Sequence, residues 1–226
     1  MCGRFVLATP PAVLIQRFGL TSCVDYGPRY NIAPMTNVVV IRQNVEGERT
    51  GEFHRWGLLP SWAKDPSIAG KLNNARGETV NDKASFRSAF RRWRCIVPGE
   101  GFYEWKPVEE NGRTVKQPYY IRPKADGELF RFAGLTERWT SPAGEEILSC
   151  CIITIGPNAV MEPIHDRMPV ILSVEDEAAW LNPAHTDPDM LRRFICPADP
   201  ASMVAFPVSR AVNSSRNESP DLIAPV

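Results

Sequence analysis

Gly101-Phe102-Tyr103-Glu104-Trp105-Lys106, then Asn111-Gly112, then Tyr119-Tyr120-Ile121 is the passage that sets the fold class. Aromatic and β-branched residues favour a pleated, half-buried surface. Asn-Gly is the dipeptide a two-residue hairpin turn demands, because both central residues need positive φ. Working downstream, Asp126-Gly127 turns the chain again into residues 129–135, and residues 147–155 form the most apolar run, a central strand. Short strands follow at residues 170–172 and 204–206. Upstream, residues 38–42 and 52–58 flank the turn Glu46-Gly47, and Cys95-Ile96-Val97-Pro98 enters the opening passage through a kink. Segments 29–34, 56–62 and 72–79 are rich in Gly, Pro, Asn or Trp and read as irregular.

Helical patterns lie between these strands. Thr9 is the expected N-cap of a helix over residues 12–18, with proline in its first turn and Gly19 as its stop. Residues 86–94 carry Phe86, Phe90 and Trp93 on one helical face and Arg87, Arg91, Arg92 and Arg94 on the other. That basic face is the densest in the chain, and it is equally readable as a solvated helix exterior. A helical turn over 158–162 and late helices over 175–181 and 189–195 complete the set. The expectation is an α+β fold: residues 1–226 as a single β-rich domain of mainly antiparallel strands, with helices at the margins.

Composition narrows function mostly by exclusion. Lys+Arg 26 against Asp+Glu 26 leaves no net charge, so a nucleic-acid surface would have to be local. No run is long and apolar enough for a membrane span, and no signal peptide is apparent. Cys2, Cys23, Cys95, Cys150, Cys151 and Cys196 lack C-x-x-C spacing. Zinc and a disulfide framework are therefore not expected, and a reducing cytoplasm is. Neither H-E-x-x-H nor a phosphate-cradling glycine loop is present, so no metal and no cofactor are expected.

Reactive chemistry starts at Met1-Cys2-Gly3-Arg4. Removal of Met1 would leave Cys2 with a free α-amine beside its own thiol, both nucleophilic near neutrality. Such a pair can condense with an aldehyde and close a thiazolidine, or its thiol can attack an amide as in N-terminal nucleophile hydrolases. A frayed chain end is the bland alternative. Glu104, flanked by aromatics, is a candidate general acid/base, with an exposed strand carboxylate as its alternative. His165 lies in the polar cluster His165-Asp166-Arg167, where a catalytic and a structural histidine are both open. Asn74 and Arg76 can hold a sugar or phosphate, or brace their own loop.

Taken together, the motifs resemble the SRAP family, the SOS-response-associated peptidase or abasic-site-processing proteins. The matching stretches are Met1 to Phe5; Arg29-Tyr30-Asn31-Ile32-Ala33-Pro34; Trp56-Gly57 with Pro60 and Trp62; and Asn74-Ala75-Arg76 with Glu78-Thr79. They continue through residues 101–106, then Ile164-His165-Asp166-Arg167-Met168-Pro169, and Val208-Ser209 with Val212-Asn213. The order is kept along the whole chain.

The resemblance implies an SRAP fold and an abasic-site sensor that binds single-stranded DNA. It implies a thiazolidine crosslink between Cys2 and the ring-opened deoxyribose, with self-removal of Met1 and AP-lyase-like chemistry as further expectations. Carried over by motif, the catalytic residues are Cys2, Asn74, Glu104 and His165. The DNA-binding residues are Arg4, Asn31, Trp62, Arg76, Thr154, Arg167 and Ser209, Thr154 by a looser match. The expected partner is single-stranded DNA containing abasic sites, bound by a monomer without membrane or metal, in the cytoplasm and on the nucleoid when DNA-bound. Some relatives have a second tryptophan after the one matching Trp62, where this chain has Ala63, so Trp62 would supply the aromatic surface alone. No tail for clamp-type partner binding is expected. An N-terminal-nucleophile Cys peptidase or amidohydrolase is the alternative activity, and a binding module without chemistry is a third class.

Overall fold

The structure, a computed structural model, describes residues 2–226. In chain order the strands and helices begin with β1 (Phe5–Leu7), α1 (Pro11–Phe18), β2 (Ser22–Cys23), β3 (Arg29–Ile32), β4 (Asn37–Gln43) and β5 (Arg49–Trp56). Next come β6 (Asn74–Arg76), α2 (Arg87–Arg92), β7 (Arg94–Gly99), β8 (Gly101–Glu110), β9 (Arg113–Pro123) and β10 (Phe130–Thr140). Last are β11 (Glu146–Ile155), β12 (Met168–Pro169), α3 (Val174–Leu181), α4 (Pro188–Arg192) and β13 (Met203–Pro207).

These strands make two sheets. One runs β13-β9-β8-β1-β3; the other runs β12-β11-β10-β7-β4-β5-β2, with β6 added beside β11. Parallel pairing of Ser149 with Arg55 and Cys150 with Trp56 joins β11 back to β5, closing β11-β10-β7-β4-β5 into a ring. Closure leaves β11, the most apolar strand, without a free edge, and its residues 149–154 are buried on both faces. Phe5, Phe102, Ile121, Ile32 and Met203 pack in the main core. The opposite face of the first sheet, through Val6, Tyr103 and Tyr120, is covered by Val208, Val212 and Leu222 of the C-terminal segment. The result is the expected α+β, mostly antiparallel architecture.

β7 and β8 are one continuous length of chain that bends from the ring into the first sheet at Gly99-Glu100-Gly101. A Cβ on Gly99 would come within 2.6 Å of the Phe132 ring, and one on Gly101 within 2.5 Å of both the Ile121 carbonyl oxygen and the Tyr120 ring. Beyond the bend, Asn111 and Gly112 take φ of 51° and 72°, the turn their sequence demands. Their hairpin pairs Phe102 with Ile121 and Glu104 with Tyr119.

Several local expectations are corrected. Thr9 is not the cap of α1: the N-cap is Pro10, without a side-chain bond, and the Thr9 hydroxyl donates to Glu100 at 2.6 Å. Gly19 does stop the helix, with φ 62°. Segments 29–34 and 72–79 are not wholly irregular, because β3 and β6 find partners far away in sequence, β1 and β11. Asp126-Gly127 turns the chain but joins strands of different sheets. Residues 170–172 form no regular strand, only a bridge from Ile171 to Phe132 after β12. Arg94 leaves the basic face of α2 altogether. It is buried, and its guanidinium donates to the carbonyls of Phe90, Arg91, Trp180 and Asn182 at 2.6–3.1 Å.

The bend predicts a clear asymmetry among glycines. Gly101→Ala is expected to lower the unfolding free energy by about 2 kcal/mol or more in urea titrations, since backbone as well as side-chain atoms must give way. Gly27→Ala, where nothing lies within 4 Å of the new Cβ, is expected to stay within about 0.5 kcal/mol of the parent.

Candidate active site

The site is assembled by three strand pairings. β1 lies antiparallel to β8 with Phe5 opposite Phe102 and Val6 opposite Gly101. The Tyr103 N–H donates to the Arg4 carbonyl at 2.9 Å, so this register continues toward the chain start and sets Gly3 opposite Glu104. On the other side, β11 holds β6 at Asn74↔Ile152 and β12 at Thr154↔Pro169. The β6 pairing delivers Asn74, and the β12 pairing delivers the loop carrying His165 and Arg167.

Cys2 is fully buried. Asn74 Nδ2 donates to the Cys2 carbonyl oxygen at 2.8 Å, and Asn74 Oδ1 is buried without a hydrogen-bond partner among the described residues. Glu104 is only 2% exposed, and burial pushes its carboxyl up to about 7, with the Asp166 charge adding to the rise. Strand alternation holds as expected: Phe102, on the Glu104 face, packs in the main core, and Tyr103 packs in the second cluster. Burial, reinforced by the Glu104 charge, drives the Cys2 thiol well above its ordinary range. The thiolate is thus disfavoured while Cys2 stays enclosed.

His165 Nε2 stands 3.7 Å from Glu104 Oε2. Its Nδ1 accepts the Arg167 backbone N–H at 3.0 Å and lies 3.0 Å from Asp166 Oδ1. The ring is thus held between the Arg167–Asp166 segment at Nδ1 and Glu104 at Nε2. Burial lowers the imidazole's proton affinity; Asp166, itself well exposed, opposes this and is outweighed. A carboxyl that holds its proton near neutrality beside a neutral imidazole is an acid/base pair suited to proton shuttling. Trp105, Lys116 and Asn213 complete the groove around Glu104 and His165, a cavity of about 490 Å³.

The other expected residues divide into two groups. Arg4 is committed internally, donating to Asn31 Oδ1 at 2.7 Å and to the Val212 carbonyl at 3.0 Å, and it stacks over Trp105. Asn31 is buried, with Nδ2 reaching the carbonyls of Val212, Ser214 and Asn217 at 2.9–3.3 Å. These two side chains brace the C-terminal strap that carries Asn213. Ser209 caps the same strap, accepting from the Ala211 N–H at 3.2 Å. Thr154 is buried under Arg167, whose guanidinium donates to both Glu78 carboxylate oxygens at 2.5 and 3.0 Å and to the Thr154 carbonyl at 2.6 Å. Arg76 and Trp62 remain exposed, Trp62 at 57%. Arg76 shares the strand face of Asn74.

Lys116 carried no sequence signal of its own; its only clue is a hairpin register, with Lys116 opposite Pro107, that becomes readable once the Asn111-Gly112 turn is fixed. Among the described residues no cluster of three or more His, Cys, Asp and Glu side chains is arranged to hold a metal, and no helix is long and apolar enough to cross a membrane.

Comparison with known proteins places this architecture. A protein of known structure from Bacteroides thetaiotaomicron superposes with a TM-score of 0.86 at 28% identity, over 100% of both chains. A phage-related protein from Bordetella bronchiseptica does so with a TM-score of 0.72 at 26% identity, over 92% of this chain and 95% of that one. The family model for SOS response associated peptidase (SRAP) matches residues 1–215. The chain belongs to the SRAP family. Among its relatives, abasic site processing protein YoqW of Bacillus subtilis (strain 168) is 46% identical over 226 residues, spanning 99% of each chain. Abasic site processing protein HMCES of Xenopus tropicalis is 34% identical over 231 residues, covering 89% of this chain and 67% of its own.

Burial of Glu104 predicts a pH signature. An unfolded glutamate releases its proton near the ordinary value of 4.5, whereas the folded one keeps it to about 7. Stability contributed by this group is full below about pH 4 and lost as pH rises through 7. Relative to Glu104→Gln, the parent is expected to lose roughly 3 kcal/mol between pH 4.5 and 7.5 in denaturant titrations. A constant difference across that range would contradict the assignment.

Proposed function

We propose that this protein processes abasic sites in single-stranded DNA by forming a covalent thiazolidine with the ring-opened deoxyribose through Cys2, once Met1 has been removed. The observation that carries the reading is the convergence of Asn74, Glu104 and His165, from three distant segments, on the one residue whose α-amine and thiol can both react. The names borne by the relatives support the lesion, and the chemistry of the site supports the bond.

An abasic site exchanges between a closed hemiacetal and an open aldehyde. Protonated Glu104 assists ring opening, and the Cys2 amine adds to the aldehyde carbon to give a carbinolamine. Loss of water, with Glu104 and His165 moving the protons, leaves an imine. The Cys2 S–H then adds across the C=N bond: sulfur bonds to carbon and the proton passes to nitrogen. One water leaves in total. Asn74 holds the Cys2 carbonyl and offers its free Oδ1 to the amine or a sugar hydroxyl, fixing the attack geometry. Arg76 supplies a phosphate contact and Trp62 a stacking surface, the latter worth roughly 1–3 kcal/mol per base. Arg4, Asn31 and Ser209 act by holding the strap that walls the groove.

The alternative, amide attack by an N-terminal thiol nucleophile, needs a thiolate as its first reactant. Burial opposes that thiolate, whereas an amine-first sequence needs only a neutral thiol in its last step.

The test is incubation with a single-stranded oligonucleotide bearing one abasic site, followed by a denaturing gel. The expected result is a heat-stable adduct, absent in Cys2→Ala. Glu104→Gln is expected to slow its formation by about 100-fold or more while non-covalent binding is kept. Only dissociable binding by the parent protein would contradict the proposal.

A further inference from the structure

Lys116 stands out among the basic residues around the groove because no carboxylate among the described residues pairs with its ammonium. Arg4 is spent on Asn31 and Val212, Arg167 on Glu78 and Thr154, and Arg210 on Glu110. Lys116 is exposed and makes no ion pair and no side-chain hydrogen bond among the described residues. Yet it lines the same groove as Glu104, Trp105, His165 and Asn213.

Lys116 also sits on a rigid element. It lies in β9, opposite Pro107 of β8, so its backbone is held by the hairpin that carries Glu104. An ammonium near two proton-transfer groups has a cost if it is only decoration: its field lowers the proton affinity of His165. It also places a positive charge where an anionic ligand would have to lie to reach Glu104. Arg76 lies on the Asn74 face of β6 and is likewise without an ion pair among the described residues. One uncommitted cation thus lines the groove from β9, and another lies on β6 two residues from Asn74, which holds the Cys2 carbonyl.

We propose that Lys116 binds a backbone phosphate of the DNA strand next to the abasic nucleotide, forming with Arg76 a two-cation clamp that makes the site selective for an abasic sugar embedded in a strand over a free sugar aldehyde. The proposal rests on the function proposed above and adds to it a residue and a substrate requirement. A lysine suits this place because it is a compact point charge on a flexible stem, able to follow a phosphate as the sugar opens.

Two measurements separate this claim from the crosslinking chemistry. The first is anisotropy binding of the full-length protein to a single-stranded oligonucleotide with a tetrahydrofuran abasic analogue, which has no aldehyde. Lys116→Ala is expected to weaken binding about 5- to 10-fold and to flatten the slope of log affinity against log salt by about 0.7, the value for one single-strand phosphate contact. Lys116→Arg is expected to restore both. The second is the adduct rate with a genuine abasic oligonucleotide and with free 2-deoxyribose. For Lys116→Ala the DNA concentration at half-maximal rate rises by a similar factor, while the rate at saturation and the reaction with free sugar both stay within about twofold.

Unaltered affinity and salt slope in Lys116→Ala would overturn the proposal, as would an equal loss with free sugar. A parent protein that binds the analogue but forms no adduct would sink the crosslinking chemistry and leave the Lys116 binding test standing. A parent that forms the adduct but does not bind the analogue would overturn the Lys116 proposal and leave the crosslinking chemistry standing.

Discussion

The antiparallel contact of β1 with β8 is the constraint on which the rest depends. Those few residues have little to hold them alone, yet Phe5 is enclosed by Trp56, Phe132 and Phe102, with the first two rings edge-on to it. That packing fixes a register, and the register places the start of the chain against Glu104. The glycine bend before β8 lets one length of chain serve both sheets, so Glu104 stands over the main core and loses most of its water. Its raised proton affinity follows from this burial. Fold and acid/base character therefore share one cause.

The second organising element is β11. It closes the ring through β5 and also holds β6 and β12 along its length. Asn74 and the His165 loop are thereby fixed to one rigid strand, although about 90 residues separate them in sequence. Arg167 ties this side together by bridging Glu78 and the Thr154 carbonyl. A site built in this way has little freedom to adjust. Such preorganisation favours proton transfers that require short, well-aimed distances.

Hairpins with a chemical turn signal were legible from sequence: Asn111-Gly112, Glu46-Gly47 and the apolar run of β11 all emerged where expected. What stayed hidden was long-range pairing. β3 and β6 are short and polar, so nothing local marks them as strands, and their partners, like the parallel closure of β11 on β5, lie far off in sequence. Charge was equally misleading without burial. Arg94 read as part of an exposed basic face but serves as an internal bracket for four carbonyls, while Lys116, silent in the sequence, faces the groove. Cys2, Asn74, Glu104 and His165 are singled out in the sequence by motifs that resemble the family's in order, and the fold brings Asn74 to the Cys2 carbonyl and His165 to Glu104. Arg4 and Asn31, expected at the DNA, also hydrogen-bond the C-terminal strap.

The central claim is that both nucleophiles of Cys2 end bonded to one sugar carbon. Intact mass followed by fragmentation of the purified protein–DNA adduct tests it most directly. The account predicts the mass of the chain without Met1, plus that of the oligonucleotide, less one water, with the modification confined to Cys2 and no free thiol or amine remaining there. An adduct on a lysine, a product retaining Met1, or a Cys2 whose thiol still reacts with an alkylating agent would contradict it.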